Sequence, residues 1–594
     1  MLCPVCGQEN REGAQFCAGC GGQLAMEPQS EVAAKPTPVE TLKKHRFVIG
    51  GVVGGVLLLC LAVVCIAVVV LLVAPSLGGR DEILLAFPNR DGEADLYLLT
   101  LGQDQDQGTL LAEDAQSMYL AFPLIKDGVY QSRIGGRYGA FLPDSDRLFL
   151  WYRLDDDIVI QQMRIGDAEP IEVLESGADS LAVGFFIKPG LFAVRENTDG
   201  QGRCHAAKLG QEAEQLAKAD DCYFSSDGST LLYKDDGSRD ESTLTAVDIA
   251  RQEEQVLLDE FEGLEWTALS PDGSQVAYVQ EDGGEYQLFL MDRRSGEEVE
   301  VTDEVARIYS AGFTPTGSEM YYILRENEDD DEVQLYALSE SDGPIAEGVG
   351  ISVDFSPDGR YLYYVVRDDD GDGTLYARPV GGGEDVEVAE GETIGFEAVR
   401  TSPPRLFVSV LDGDDATLLS ADYSGNNVVE LWSDDDVDLE DGIYLPDKSV
   451  VYLRIEDDKN GEDAVFVTPV DKDTGFYLLE GWDFVRLMAL SANDRTLVFS
   501  AAEDSGDDPV LYSIEVKDGA EPVELDDDAE GFENAVFTSD GRHVIYTAIT
   551  GDDSDDREVR KVRADGGEEY ETLYEEAMLV DARWTERNRF WYFQ

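Results

Sequence analysis

The chain has 594 residues, enough for several domains, and a hydrophobic fraction of 43% that can fill real cores. Against 45 Lys+Arg stand 124 Asp+Glu, a formal charge of −79. That balance excludes nucleic-acid binding through a phosphate-neutralising patch and argues against docking on anionic lipid. It leaves cation binding, basic partners, saline surroundings, or a simply solvated acidic surface.

Residues 3 to 20 read CPVCGQENREGAQFCAGC. Two Cys-x-x-Cys pairs, Cys3/Cys6 and Cys17/Cys20, each followed by glycine (Gly7, Gly21), form two knuckles that aim four thiolates at one point, the donor set of tetrahedral zinc. The expected unit is a structural zinc ribbon over 1–24, because so short a segment holds no fold without its metal. It resembles the zinc-ribbon heads of bacterial membrane proteins. Residues 25–46, with Pro28, Pro36 and Pro38, read as a flexible linker that ends in Lys43, Lys44, His45 and Arg46.

From Phe47 to Val73 no residue is charged or strongly polar. About 20 apolar residues cross the hydrocarbon core as a helix, so 47–73 is expected to be a transmembrane helix. The basic cluster before it keeps the N-terminus cytoplasmic and sends the C-terminal part outside. The expected protein is thus integral to the cell membrane, single-pass, with a small cytoplasmic head and a large extracytoplasmic domain.

Beyond residue 80 one pattern recurs. LSPDGSQVAYVQ starts at Leu269, FTPTGSEMYYIL at Phe313 and FSPDGRYLYYVV at Phe355. Related stretches start at Phe141, Phe224, Thr401, Tyr444, Leu490, Phe537 and Trp584. The period, about 42 to 47 residues, with strand alternation and no helical periodicity, predicts β-propeller blades. Each unit reads strand, S-P-D-G turn, strand, acidic loop, strand, turn, strand. In the turn at 356–359, Pro357 presets the first position, Asp358 bonds to local backbone and Gly359 takes positive φ. These repeats resemble the WD40-like PD40 repeat of TolB-type propellers. The resemblance covers nearly everything from residue 81 onward, with full matches at Ser270–Gly273 and Ser356–Gly359. The expected fold class is all-β, about eleven or twelve four-stranded units in two consecutive propellers, 81–330 and 331–594. The strands DEILLAF and ADLYLLTL lack such a turn before them, so the two ends of the region are expected to pair.

The acidic runs Asp155–Asp157, Asp329–Asp331, Asp368–Asp372, Asp412–Asp415, Glu456–Asp458 and Asp552–Asp556 fall between the second and third strands. They should therefore ring one rim and focus negative potential there. Asp368, Asp370 and Asp372 before Gly373 match the first half of a calcium loop, yet Pro379 stands where the bidentate Glu would be. Cys204 and Cys222, 18 residues apart in neighbouring blades, are disulfide candidates in an oxidising compartment. Catalytic signals are thin. The exterior histidines are His205 and His543, no G-x-S-x-G elbow or P-loop occurs, and carboxylate pairs are too abundant for sequence to single one out. The function expected is a non-enzymatic receptor, sensor or binding scaffold. Its exterior takes a protein or peptide ligand of basic character, and its zinc ribbon faces a cytoplasmic partner. The alternatives are an envelope hydrolase using rim carboxylates and a purely structural assembly scaffold.

Overall fold

The computed structural model describes residues 82 to 593, less the stretch 583–590 and short segments found mostly in hairpin loops. The zinc-ribbon cysteines and the 47–73 segment lie outside the described residues. Among the described residues no helix is long and apolar enough to cross a membrane. Arg80–Gln594 forms one compact unit.

The repeat pattern becomes a series of antiparallel meanders. Strands Leu264–Leu269, Gln275–Asp282, Glu285–Asp292 and Glu298–Glu300 make one four-stranded sheet in sequence order. The same order recurs in sheets over 221–262, 307–347, 354–391, 393–434, 437–482, 484–526 and 531–575. Three further units precede them, and among the described residues the four-stranded units number eleven. All-β meanders of this length repeated at this period are propeller blades.

The two ends do pair. Glu82–Pro88 lies antiparallel to Met578–Ala582, with Ile83 opposite Ala582 and Leu85 opposite Leu579. Met578–Ala582 thus serves as first strand to Glu82–Pro88, Glu93–Thr100 and Thr109–Gln116. This strand ends just before Trp584, where the last repeat-like stretch of the sequence begins. Two features have no counterpart in the repeat. Gln116 pairs with Arg153, joining the first unit's sheet edge to the next, and a hairpin Tyr119–Lys126/Val129–Arg137 is inserted so that Tyr119–Lys126 runs parallel to Ser180–Phe186.

Cores form between units, because each sheet is apolar on both faces. Leu232, Leu244 and Leu258 meet Val276, Tyr278 and Phe289 of the next unit. Ala277, Val279 and Leu288 then meet Met320 and Tyr322. Tyr321, Ile323 and Leu335 share a core with Leu362 and Tyr364, so the packing runs through residue 330 without a break. The order is cyclic, since Ile545 and Val559 of the 531–575 sheet bury against Ile83, Leu85 and Leu579.

Within units a second device repeats. An aromatic of the second strand lies opposite an aromatic of the third: Tyr278 and Phe289 (ring centroids 5.1 Å apart), Tyr322 and Tyr336 (5.2 Å), Tyr364 and Tyr376 (5.7 Å), Phe499 and Tyr512 (5.4 Å). All four pairs are stacked. Such pairs add about 0.5–1.5 kcal/mol beyond the area they bury.

Candidate functional site

The S-P-D-G turns occupy one end of the units and are closed on themselves. Ser356 Oγ donates to Asp358 Oδ1 (2.7 Å) and accepts the Tyr361 N–H (3.0 Å), while Asp358 Oδ1 accepts the Arg360 N–H (3.2 Å). The same bonds recur at Ser225/Asp227/Thr230, Ser270/Asp272/Gln275, Ser491/Asn493/Thr496 and Thr538/Asp540/His543. The Thr538 hydroxyl and the Arg542 N–H hold the Asp540 carboxyl below its usual range. Neighbouring turns touch, the Asp227 N–H donating to Pro271 O at 3.0 Å. Gly273, at φ 66°, sits so close to the preceding unit that a Cβ would lie 2.3 Å from Thr230 Oγ1. Polar groups at this end are spent on architecture.

The hairpins between second and third strands emerge at the opposite end, because strands in an antiparallel meander alternate in direction. The acidic runs fall in these hairpins, although Asp155, Asp156, Asp329–Asp331, Asp369, Asp370, Asp414, Asp458 and 552–555 lie outside the described residues. Of the calcium triad, Asp368 and Asp372 are described and Asp370 is not. Asp368 Oδ1 accepts the Asp372 N–H (3.0 Å), and the Asp368 N–H donates to Asp372 O (2.9 Å), which closes the loop on its own backbone. Arg367 donates from one guanidinium nitrogen to Gly371 O (2.8 Å) and Glu392 O (3.2 Å). Among the described residues no three His, Cys, Asp or Glu side chains are placed to hold a metal ion.

One hairpin shows what the charge does locally. Asp282 and Glu285 flank the 283–284 turn, and the chain returns to the same end at Asp303 and Glu304, where Val305 bridges to Tyr286. The Glu285 carboxylate, by hydrogen bonding and by charge, pushes the Glu304 carboxyl above its usual range, and Asp282 and Asp303 add to the effect. Like charges thus crowd this hairpin end. Two other carboxyls are raised mainly by burial, Glu172 on an outer strand and Asp354 on an inner one. The three lie in three different units.

Among the described residues, several strongly displaced groups lie inside the blades. Burial pushes the Tyr152 and Tyr321 phenols up to about 12. Arg560, 3% exposed, donates to Asp526 Oδ2 (2.9 Å), a side chain that is itself wholly buried, and to Glu558 Oε2 (2.8 Å). The Tyr546 hydroxyl donates to Asp526 Oδ2 at 2.6 Å, and the Arg560 guanidinium lies 4.0 Å from the centroid of the Tyr570 ring. This cluster crosses from the 484–526 unit to the 531–575 unit. Sequence reading missed it; the one visible signal was an arginine where other units place an aromatic opposite the second-strand tyrosine.

Cys204 and Cys222 are disulfide-bonded, their Cα atoms 6.5 Å apart, and Cys204 is wholly buried. The bond ties Gln201–Lys208 of one unit to Asp221–Phe224 of the next. His205, beside it, is buried on the third strand of its unit, and His543 opens the second strand of the 531–575 unit.

No protein-family model and no curated protein matches the chain. Solved structures similar to it include TolB from Acinetobacter baumannii, 13% identical, covering 47% of this chain and 77% of that one with a TM-score of 0.25. Prolyl endopeptidase is 16% identical, over 62% of this chain and 54% of that one, at a TM-score of 0.28. Dipeptidyl peptidase 4 from Porphyromonas gingivalis is 14% identical, over 67% of this chain and 60% of that one, at 0.31. Likeness at that level assigns neither activity nor partner.

Proposed function

We propose that this chain is a membrane-anchored binding protein whose extracytoplasmic propeller offers its acidic hairpin end to a basic protein or peptide. The observation that carries the reading is the asymmetry of the two ends. Carboxylates of the S-P-D-G turns are consumed by turn hydrogen bonds, whereas the hairpin end concentrates like charge, as the Glu285–Glu304 contact displays. A low-dielectric rim of one sign raises the local concentration of a cationic ligand and speeds its encounter. Cys3, Cys6, Cys17 and Cys20 would hold a closed, structural zinc on the cytoplasmic side, with 47–73 as the anchor and the ribbon available to a cytoplasmic partner. A division of 81–594 into two rings near residue 330 would have to accommodate the core shared by Tyr321 and Tyr364 across that boundary.

The hydrolase alternative needs two carboxyls at one site, one of them raised. The raised carboxyls found, Glu172, Glu304 and Asp354, are dispersed over separate units. The full-length protein in detergent, titrated with lysine-rich and neutral peptides of equal length, tests the binding reading. Saturable binding of the cationic peptide that weakens with salt is expected, and equal affinity for both peptides would overturn it. Repeating the titration with added Ca²⁺ asks whether Asp368, Asp370 and Asp372 take part.

A further inference from the structure

Among the described residues, the 437–482 sheet differs from the other meanders between 221 and 575 in having a fifth strand. Its first strand, Val437–Tyr444, pairs with Val450–Asp457 on one side, as the repeat demands. On the other side it pairs antiparallel with Trp591–Phe593, placing Tyr444 opposite Trp591, Ile443 opposite Tyr592 and Gly442 opposite Phe593. Among the described residues, first strands of the 264–300, 307–347, 354–391, 393–434, 484–526 and 531–575 sheets end their sheets.

The added strand comes from a segment with another duty. Met578–Ala582 completes the first unit, and Trp591 follows Ala582 by nine residues. At about 3.3–3.6 Å per extended residue, the two pairings are at most about 30 Å apart. Met578–Ala582 thus belongs to the first unit and Trp591–Phe593 to the 437–482 unit, which is separated from it in sequence by two units. Trp591–Phe593 is held by a ladder of three residues, in an unusual sequence context. RNRFWYFQ, residues 587–594, has two arginines, four consecutive aromatics and no acid in a chain of net charge −79.

We propose that the edge of Val437–Tyr444 facing away from Val450–Asp457 is a strand-addition site for an extended aromatic and basic peptide, occupied in cis by the chain's own Trp591–Phe593. Backbone hydrogen bonds supply affinity in such a site, and they are available to any extended segment able to reach the edge. The 437–444 strand and the residues before it read SDDDVDLEDGIY from 433 onward, so a basic peptide is the complementary one. Three residues of ladder hold the cis strand loosely enough to be displaced.

The test uses the full-length protein, a variant lacking 591–594, and Tyr592→Pro, which removes a backbone donor without shortening the chain. Amide exchange of residues 442–444 should rise at least tenfold in both variants, while the Glu462–Pro469 strand stays protected. Adding the peptide RNRFWYFQ should restore protection at 442–444. It should bind the full-length chain about tenfold more weakly, as expected when a tethered competitor at roughly millimolar effective concentration faces a peptide Kd on the order of 100 μM. Exchange at 442–444 unchanged by either variant would overturn the proposal, as would a peptide that restores nothing. Loss of protection at 462–469 in both variants would also overturn it, by making the strand an indispensable part of the fold.

Discussion

Replacing Arg560 by Ala should be among the most destabilising changes outside the apolar cores. The guanidinium is 3% exposed and the Asp526 side chain wholly buried, so the substitution leaves a buried carboxylate held by the Tyr546 hydroxyl and the Asp528 N–H but with its cation removed. Three guanidinium hydrogen bonds disappear, to Asp526 (2.9 Å), Glu558 (2.8 Å) and Asp528 O (2.9 Å), along with the stacking on Tyr570. At about 1.5–3 kcal/mol for each charged hydrogen bond, and about 3–5 kcal/mol for breaking a buried pair from one side, the expected loss is about 3–5 kcal/mol. Replacing both partners differs in kind. Phe289, Tyr336, Tyr376 and Tyr512 fill the position opposite the second-strand aromatic in four other units, and Arg560 fills it opposite Tyr546. Arg560→Phe with Asp526→Leu restores that apolar pair, at the expense of the acceptor of the Tyr546 hydroxyl and the Asp528 N–H, and should lose clearly less than the two single losses added. Urea denaturation of the parent, both single variants and the double variant closes the cycle. An Arg560→Ala loss below about 1 kcal/mol, or a double variant as unstable as the two single losses added, would refute the reasoning.

Gly273→Ala should cost more than Gly283→Ala. Both glycines have φ 66°, but a Cβ at 273 meets Thr230 Oγ1 at 2.3 Å and one at 283 meets nothing within 4 Å. Denaturation midpoints should therefore show about 1–2 kcal/mol of backbone strain at 283 and a larger loss at 273. Cys204→Ser with Cys222→Ser should lower stability by about 3 kcal/mol, for a closed loop of 18 residues. With Cys204 wholly buried, thiol titration should find native protein resistant to mild reductant until denaturant opens the seam. Glu304→Gln should raise the denaturation midpoint at pH 7 in low salt. A raised folded-state carboxyl is destabilising while ionised, and the strain is relieved as pH falls through its folded value. The gain should vanish in high salt or near pH 4, and a gain that survives 1 M salt would rule out charge repulsion as its source. Asp540 has the opposite sign: its lowered carboxyl contributes stability above the usual range that is lost as pH falls through its folded value.

The legible part of the fold was the local part. Ser356, Asp358 and Gly359 satisfy one another within a few residues, so the turn and its flanking strands could be read from spacing alone. The pairing of the two ends was legible for the same reason, since DEILLAF lacks a turn and requires a neighbour. Which strand meets it was not singled out by the sequence: it is Met578–Ala582, just upstream of WTERNRFWYF, a worn repeat whose Trp591–Phe593 joins another sheet. The inserted hairpin at 119–137 escaped because its parallel pairing with Ser180–Phe186 is set by tertiary packing, which leaves no period in the sequence. At the candidate site, charge and its concentration in hairpins could be read directly. Which carboxylates serve the backbone, as Asp368 does, depends on loop geometry that composition does not encode.

The outer edges show how an acidic chain can present many unpaired strand edges. Each meander ends on a fourth strand, and in the 264–300 unit that strand is Glu298–Val299–Glu300, exposed throughout. Val386–Gly391 carries Glu387 and Glu390 outward, and Glu571–Glu575 begins and ends with glutamate. An exposed ladder edge invites pairing with another chain, and a row of like charges opposes it, since two such edges would bring carboxylates face to face. Fourth-strand acidity is then protection against self-association, distinct in purpose from the acidity of the hairpin end. The inner edge of Val437–Tyr444 follows a different solution: it is covered by a strand with no acid of its own. An aromatic segment without acids, such as Trp591–Phe593, can approach such an edge without repulsion. Like-charge exclusion at the outer edges and cis pairing at this inner one therefore follow from the same electrostatics.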